Sequence, residues 1–319
     1  MLELIENPRL YNITLKNFAD LFGAAVEEFS GDCKKLIAAT DFRYQIVGKE
    51  EYNQILLDVL KKLDTDRLPV SGKERKDDWE RGWSENVNGF IRNNHDLSQL
   101  VPKYIQPIKN TIKRFNRNYI KPADPNFELN FYTVYRRFFF EKYLSAFDSI
   151  YEFGCGTGYN LYILSQLFPE KKLFGLDWAI ASRDLVNKIG EAFNANITGR
   201  LFDMFSPDDS LEINDNSIFI TLNSMEQLGG DFEAFLNFIL NKSPLLVINS
   251  EPLVELYDPK ELLDYLAIKY HRKRGYLNNY LTRLKQLEAE GKIQILKMIR
   301  IYFGSLFHEG YSLVIWKPL

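Results

Sequence analysis

The chain is short of the residues that build metal sites. Its 319 residues hold two cysteines and three histidines. Cys33 and Cys155 stand far apart and belong to no Cys-x-x-Cys or Cys/His cluster, so no zinc or other metal site is expected. A reducing cytoplasm is the simplest compartment for such a chain. Charge of one sign is lacking too. With 40 basic and 43 acidic side chains the net charge is −3, and no global field draws the protein to nucleic acid or to an anionic membrane. A nucleic-acid partner is therefore not expected, unless through a local basic patch. No apolar run approaches the roughly 20 residues that span a bilayer. The opening residues, Met1 to Pro8, lack a basic segment followed by an apolar one, so no signal peptide is expected. Without secretion, the sequons at Asn12, Asn196 and Asn241 are chance matches. Internal repeats and low-complexity tracts are also missing.

What is present is ordinary globular material, 45% hydrophobic and 26% charged, long enough for one large domain or two smaller ones. The character of the chain changes at Lys121-Pro122-Ala123-Asp124-Pro125-Asn126, where two prolines predict an extended connector. This places a boundary between residues 1–125 and 126–319. Before it the periodicity is mostly helical. Tyr52, Ile55, Leu56, Val59, Leu60 and Leu63 recur at three- and four-residue steps, as do Trp79, Trp83, Val87, Phe90 and Ile91. Pro102 and Pro107 interrupt the pattern, and a basic stretch follows (Lys109, Lys113, Arg114, Arg117, Lys121). The N-terminal part is thus expected to be a mostly helical cap or substrate-recognition domain.

After the boundary, strands and helices alternate. An aromatic-rich helix is predicted over 131–147. Strands are predicted at 149–153, 172–177, 197–202, 217–222 and 245–250, with helices between them. Such alternation implies a doubly wound, mostly parallel sheet. A long helical region is predicted over 261–290, stopping at Gly291. Two strands follow, 293–303 and 311–316. Their connection is too short to cross over, so they should form an antiparallel hairpin and complete a seven-stranded sheet.

The sharpest motif is Glu152-Phe153-Gly154-Cys155-Gly156-Thr157-Gly158, which follows a strand and opens a helix. Glycines there permit a tight turn and close approach of a ligand to the main chain. The helix N-terminus beyond them offers free N–H groups. The Gly-Lys-Ser/Thr ending of a nucleotide hydrolase loop is missing, and Tyr159 stands where a dinucleotide fingerprint has its third glycine. In its E-x-G-x-G-x-G form the loop resembles that of class I S-adenosylmethionine-dependent methyltransferases, with a match at Glu152, Gly154, Gly156 and Gly158. That resemblance covers residues 131–319 and implies S-adenosylmethionine as the cofactor. It also implies that Asp177, at the end of the second strand, takes the ribose hydroxyls, with Trp178 against the adenine. Asp203-Met204 then corresponds to the adenine-amino position, and the segment from Asn223 to Gln227 to the region near the transferred methyl. The cofactor set so implied is Glu152, Gly154, Cys155, Gly156, Thr157, Gly158, Asp177, Trp178, Asp203, Met204 and Asn223. The alternative is a Rossmann-like domain for another nucleotide. No basic neighbour is visible to lower the pKa of Cys155, so a nucleophilic thiol is not expected.

Methyl transfer needs alignment and, for a hydroxyl acceptor, a general base. Three candidates stand out. Glu226 follows the fourth strand directly, where the alternative is a capping or surface carboxylate. His271, in Tyr270-His271-Arg272-Lys273-Arg274-Gly275-Tyr276, suits a polar or anionic acceptor, unless the segment is a solvated helix face. His308 sits in the turn of the last hairpin, where plain turn chemistry is the alternative. Glu251, ending the fifth strand, is a further candidate, whereas His95 reads as a loop residue. Trp79 and Trp83 on one helix face read as core rather than as a substrate platform. The overall layout, rather than any diagnostic motif, also resembles sugar O-methyltransferases of bacterial surface-polysaccharide pathways. The expected activity is methyl transfer to a small polar acceptor, a sugar or nucleotide-sugar hydroxyl, by a protein free to form homo-oligomers. A protein or RNA methyltransferase and a cofactor-binding scaffold without turnover are the alternatives. Asn223-Ser224-Met225-Glu226 is not the Asn/Asp-Pro-Pro-Tyr/Phe signature of amide-type nitrogen acceptors.

Overall fold

The computed structural model describes residues 9–64, 68–105 and 111–319. The expectations on Met1 to Pro8, Pro107 and Lys109 lie outside the described residues. In chain order the first part holds β1 (Leu10–Asn12), α1 (Leu15–Leu21), α2 (Gly31–Ala39), β2 (Arg43–Ile46), α3 (Lys49–Asp64), α4 (Lys76–Arg92), β3 (Lys113–Phe115) and β4 (Asn118–Pro122). The second part begins with α5 (Phe127–Tyr143), β5 (Ser149–Phe153), α6 (Tyr159–Leu167), β6 (Lys172–Asp177), α7 (Ile180–Phe193) and β7 (Ile197–Leu201). It continues with β8 (Ser217–Leu222), α8 (Glu233–Lys242), β9 (Leu246–Ser250), α9 (Leu262–Arg274), α10 (Tyr280–Ala289), β10 (Ile293–Ile299), β11 (Phe303–Gly304) and β12 (Leu313–Pro318).

The larger sheet has seven strands in the order β10-β12-β9-β8-β5-β6-β7. Strands β9, β8, β5, β6 and β7 run parallel, as the alternation predicts, and β12 runs antiparallel to both β9 and β10. Strand β5 is buried along its whole length, which fits its apolar composition and its central place. The strand order reverses beside β5, between β6 and β8. That is where an open parallel sheet leaves a crevice at the carboxyl ends of its strands.

The structure departs from the sequence expectations at three places. Helices do predominate before residue 125, but β1, β2, β4 and β3 form a second sheet there, which β11 completes at its edge. These strands are three to five residues long, too short for a period-two pattern to stand out. The long helix over 261–290 is two helices, broken at Gly275, which adopts φ +60° at the end of α9. Such a left-handed residue is a common helix stop. The predicted strand 293–303 ends at Ile299, and Phe303–Gly304 leaves to pair with β3.

Helix α5 buries most of its circumference and leaves the Asn130, Thr133, Arg137 and Glu141 face half-buried. Phe131 on α5 stacks on Phe303 of β11 with centroids 3.8 Å apart. One apolar cluster runs from Phe18 and Phe42 in the first part, through Phe131 and Phe138, to Ile150 and Leu164 under the large sheet. Among the described residues no helix is long and apolar enough to cross a membrane, and no cluster of three or more His, Cys, Asp or Glu side chains is arranged to hold a metal.

Candidate cofactor and acceptor site

The loop after β5 turns on three glycines, all left-handed: Gly154 at φ +68°, Gly156 at +53° and Gly158 at +70°. Each also lacks room for a side chain. A Cβ on Gly154 would collide with Ser224, one on Gly156 would lie 2.9 Å from the Trp83 ring, and one on Gly158 2.8 Å from Val186. Gly158 therefore serves the packing of α6 on α7, whereas Gly154 and Gly156 face a cavity. The Gly154 N–H donates to Leu176 O at 2.6 Å, and the Ser182 hydroxyl to Gly156 O. Thr157 Oγ1 donates to Leu100 O at 2.6 Å, which ties the loop to the N-terminal part.

Asp177, at the end of β6, is 5% exposed. Its Oδ2 accepts from Gly156 N–H at 2.9 Å and its Oδ1 from Ala179 N–H at 3.0 Å. Burial raises its pKa to about 6, while these two backbone donors hold it down. A carboxylate offers about four acceptor positions, so each oxygen keeps one for a ligand.

The cavity above the loop spans about 870 Å³ of empty space, part of it open solvent. Trp178, stacked on Phe205 at 5.5 Å, forms one wall together with Met204. Trp79 and Trp83, stacked at 5.4 Å, form another. Glu152 is 1% exposed. Its Oε1 accepts from Asn160 at 2.6 Å, Oε2 has no partner, and burial raises its pKa to about 8. Asn160 Oδ1 in turn accepts from Arg136 at 3.1 Å. The Arg136 guanidinium lies between the rings of Tyr132 and Tyr159, at 4.2 and 4.6 Å.

A second cavity, about 1100 Å³ of empty space that includes open solvent, adjoins the first. Trp79, Asn223 and Gln227 line both. Each of the three holds a buried polar atom with no hydrogen-bond partner among the described residues: Trp79 Nε1, Asn223 Oδ1 and Gln227 Oε1. Asn223 is held at φ +55°, a conformation open to asparagine more readily than to other side chains. Glu226 lines the second cavity. Its carboxyl accepts from Gln227 at 3.1 Å, and burial raises its pKa to about 7. His308 also lines it, and its Nδ1 lies 3.0 Å from His271 Nε2. His271 is 2% exposed and stands behind His308 rather than in the wall. Burial pushes both imidazoles down, His271 to about 3, so both are neutral at physiological pH.

Not every candidate faces a cavity. Asp203 Oδ1 accepts from Phe205 N–H at 2.9 Å, which shapes the turn, and Asp203 is absent from both walls. Cys155 does line the first cavity, but its Sγ lies 3.5 Å from Ser182 Oγ and burial pushes its pKa far up, consistent with an inert thiol. Glu251 is fully enclosed. Its Oε1 accepts from Ser224 and Met225 N–H, both at 3.2 Å, so it braces the turn after β8 and faces neither cavity.

The sequence pattern assigned Trp79 and Trp83 to the core. Trp83 is 8% exposed, but its ring covers Gly156. Arg136 was missed, and Gln227 was named only as the end of the Asn223 to Gln227 segment. An arginine inside the aromatic run of α5 was the available signal, since arginine is seldom fully buried without a purpose. The basic stretch is not one patch. Lys113 pairs with Glu128, Arg114 is 2% exposed, Arg117 lies over the Tyr302 ring, and Lys121 pairs with Glu51.

Neither known protein families nor characterised proteins match this sequence. Among solved structures, it is similar to geranyl diphosphate methyltransferase in complex with GPP and sinefungin, at 12% identity and TM-score 0.48 over 77% of this chain and 99% of that one. Geranyl diphosphate C-methyltransferase from Streptomyces coelicolor A3(2), with Mg2+, geranyl diphosphate and S-adenosyl-L-homocysteine, has 11% identity and TM-score 0.46, over 74% and 98% of the two chains. The methyltransferase domain of bacterial CtHen1 has 17% identity and TM-score 0.39, over 54% and 91%. Likeness this loose assigns neither ligand nor acceptor, and the chemistry has to be argued from the chain's own residues.

Proposed function

We propose that this chain is a class I methyltransferase. It binds S-adenosylmethionine in the first cavity and methylates a hydroxyl of a small polar acceptor, a sugar or nucleotide-sugar, in the second. The observation that carries this is the junction of the cavities. The three residues that line both cavities, Trp79, Asn223 and Gln227, each hold an unpaired buried polar atom: the donor Trp79 Nε1 and the acceptors Asn223 Oδ1 and Gln227 Oε1. An unsatisfied buried polar group costs about 1–3 kcal/mol, so three at one junction point to ligands that complete them.

The first cavity fits the cofactor. The remaining acceptor positions of Asp177 suit a vicinal diol, one hydroxyl to each oxygen. Trp178, Phe205 and Met204 offer an apolar slot for a flat base. At the other end, Arg136 suits a carboxylate and Glu152 Oε2 an ammonium group. When bound, S-adenosylmethionine supplies a methyl group on a sulfonium centre, open to in-line attack.

The chain's own work is alignment and proton removal. The Asn223 and Gln227 carbonyl oxygens place partial negative charge at the junction, which favours a cationic centre and orients an acceptor hydroxyl. Glu226 takes the hydroxyl proton at its carboxylate as the acceptor oxygen forms its bond to carbon, and a pKa of about 7 suits a base working near neutrality. His308, neutral and braced by His271, orients the acceptor through the ring edge turned to the cavity. Residues 1–125 supply Arg75, Trp79, Ile105 and Lys113 to the second cavity, which supports their role as the acceptor-side cover.

The test is calorimetry of S-adenosylhomocysteine with the unaltered protein and with Asp177→Ala. Micromolar binding is expected, weakened at least tenfold in the variant, because hydrogen bonds to a charged group contribute about 1.5–3 kcal/mol. No binding by the unaltered protein, with NAD and nucleotides run in parallel, overturns the proposal.

A further inference from the structure

The second cavity contains charge that methyl transfer does not require. Three cations, Arg75, Lys113 and Arg274, and two carboxylates, Glu128 and Glu226, stand in its wall. Lys113 and Glu128 neutralise each other. The arginines are less well matched. Arg75 donates Nε to Asp78 at 2.7 Å but leaves Nη1 buried without a partner. Arg274 donates Nη1 to the Tyr270 hydroxyl at 2.8 Å and leaves Nε buried without a partner, and it pairs with no carboxylate among the described residues.

Both guanidiniums are held in place. Arg274 lies over the Tyr276 ring at 4.6 Å and Arg75 over the Trp79 ring at 5.7 Å. The segment that leads to Arg75 is stitched to the end of α9, with Ser71 N–H donating to Arg274 O at 2.7 Å and the Ser71 hydroxyl to Gly275 O. A fixed, planar, partly desolvated guanidinium with a spare N–H is the arrangement that recognises a carboxylate or phosphate. Two in one cavity make a clamp, because burying a charged donor without an acceptor is costly.

We infer that the acceptor carries an oxyanion, a phosphate or carboxylate, held between Arg75 and Arg274, while its body lies on the aromatic wall and its reactive hydroxyl meets Glu226. This rests on the second cavity being the acceptor site. It narrows the acceptor class, since a neutral free sugar offers no anionic acceptor to the unpaired Arg75 Nη1 and Arg274 Nε, whereas a sugar phosphate, a nucleotide-sugar or an acidic sugar supplies one.

The experiment titrates inorganic pyrophosphate and, separately, succinate into the full chain saturated with S-adenosylhomocysteine. Arg75→Gln, Arg274→Gln and Arg274→Lys are compared with the unaltered protein. Saturable binding of at least one anion is expected, weakened tenfold or more by each glutamine substitution and less by Arg274→Lys, which keeps the charge but loses the planar fork. Pyrophosphate alone would identify the phosphate source and succinate alone the carboxylate. Neither arginine lines the first cavity, so each folded variant should bind S-adenosylhomocysteine as the unaltered protein does. If either glutamine variant fails that control, Arg274→Lys decides. Absence of saturable binding by either anion, or binding that the substitutions leave unchanged, overturns the inference. The two proposals fail separately. Arginine-dependent anion binding without S-adenosylhomocysteine binding would sink the methyltransferase, and the reverse would sink the clamp.

Discussion

Glu152, Glu226 and Glu251 all lie above the usual carboxylate range because of burial, at about 8, 7 and 8. Their surroundings separate their roles. Glu251 is enclosed and braces two backbone N–H groups, Glu152 faces the first cavity, and Glu226 alone faces the second. A base must be ionised to act, so the transfer rate should rise with pH through about 7 and level off above it. Glu226→Gln should lower kcat by about 10²–10⁴-fold and abolish that rise, as measured in a pH–rate series. A profile for the variant that keeps the same limb assigns the proton to another group. The neutral pair His271–His308 adds no limb near the ordinary histidine pKa, since burial keeps both rings well below it. In stability the three glutamates act in the opposite sense. A carboxyl whose folded pKa is raised holds its proton longer in the native state, so its contribution is full below about pH 4 and is lost as pH rises toward 8.

At the scale of elements, α4 packs on α7 and carries Trp79 and Trp83 to the wall of the first cavity. The N-cap position of α7, Ala179, has no side-chain hydrogen bond. Glu80 on α4 supplies one from a distance, accepting from Ile180 N–H at 2.7 Å and Ala181 N–H at 3.1 Å. A carboxylate at a helix N-terminus satisfies free donors and complements the dipole. The same helix carries Trp79 and Trp83 to the glycine loop, so cap and cavity wall are coupled. Glu80→Ala should cost about 1 kcal/mol of stability and weaken S-adenosylhomocysteine binding. Thermal melts and calorimetry read the two effects, and a variant unchanged in both would show that α4 is held by its apolar face alone.

For the whole molecule, a buried ionic network joins parts distant in sequence. Arg300, after β10, reaches Asp264 on α9 at 2.5 and 2.7 Å and Glu309 at 2.7 Å. Arg114 on β3 reaches Asp264 at 3.3 Å and the Phe307 carbonyl at 3.2 Å. The loop that carries His308 is thereby fastened to the smaller sheet and to α9. Removing one member strands charge inside the protein, so Asp264→Asn should cost about 3–5 kcal/mol, measured by urea unfolding. A loss below about 1 kcal/mol would mean that the network does not hold these parts together. Because the apolar cluster is continuous from Phe18 to Leu164, unfolding should occur in one transition in the unaltered protein.

The sequence by itself determined the sheet-forming half and the loop at its centre. Strands 149–153, 172–177 and 217–222 were legible to the residue, because a buried strand bounded by glycine, proline or asparagine is a contiguous pattern. The glycines of the loop were legible for the same reason, since a left-handed turn is a property of local backbone. The short strands before residue 125, the break at Gly275 and the departure of Phe303–Gly304 to the smaller sheet were not, because pairing partners far along the chain decide them. Tertiary structure alone decided which candidates share a cavity. It brought Trp83 over Gly156, Arg75 and Arg274 into the wall of one cavity, and His308 against His271, and it enclosed Glu251 and turned Asp203 into its own loop. Convergence of side chains from separate elements depends on how those elements pack, and no spacing within one segment records it.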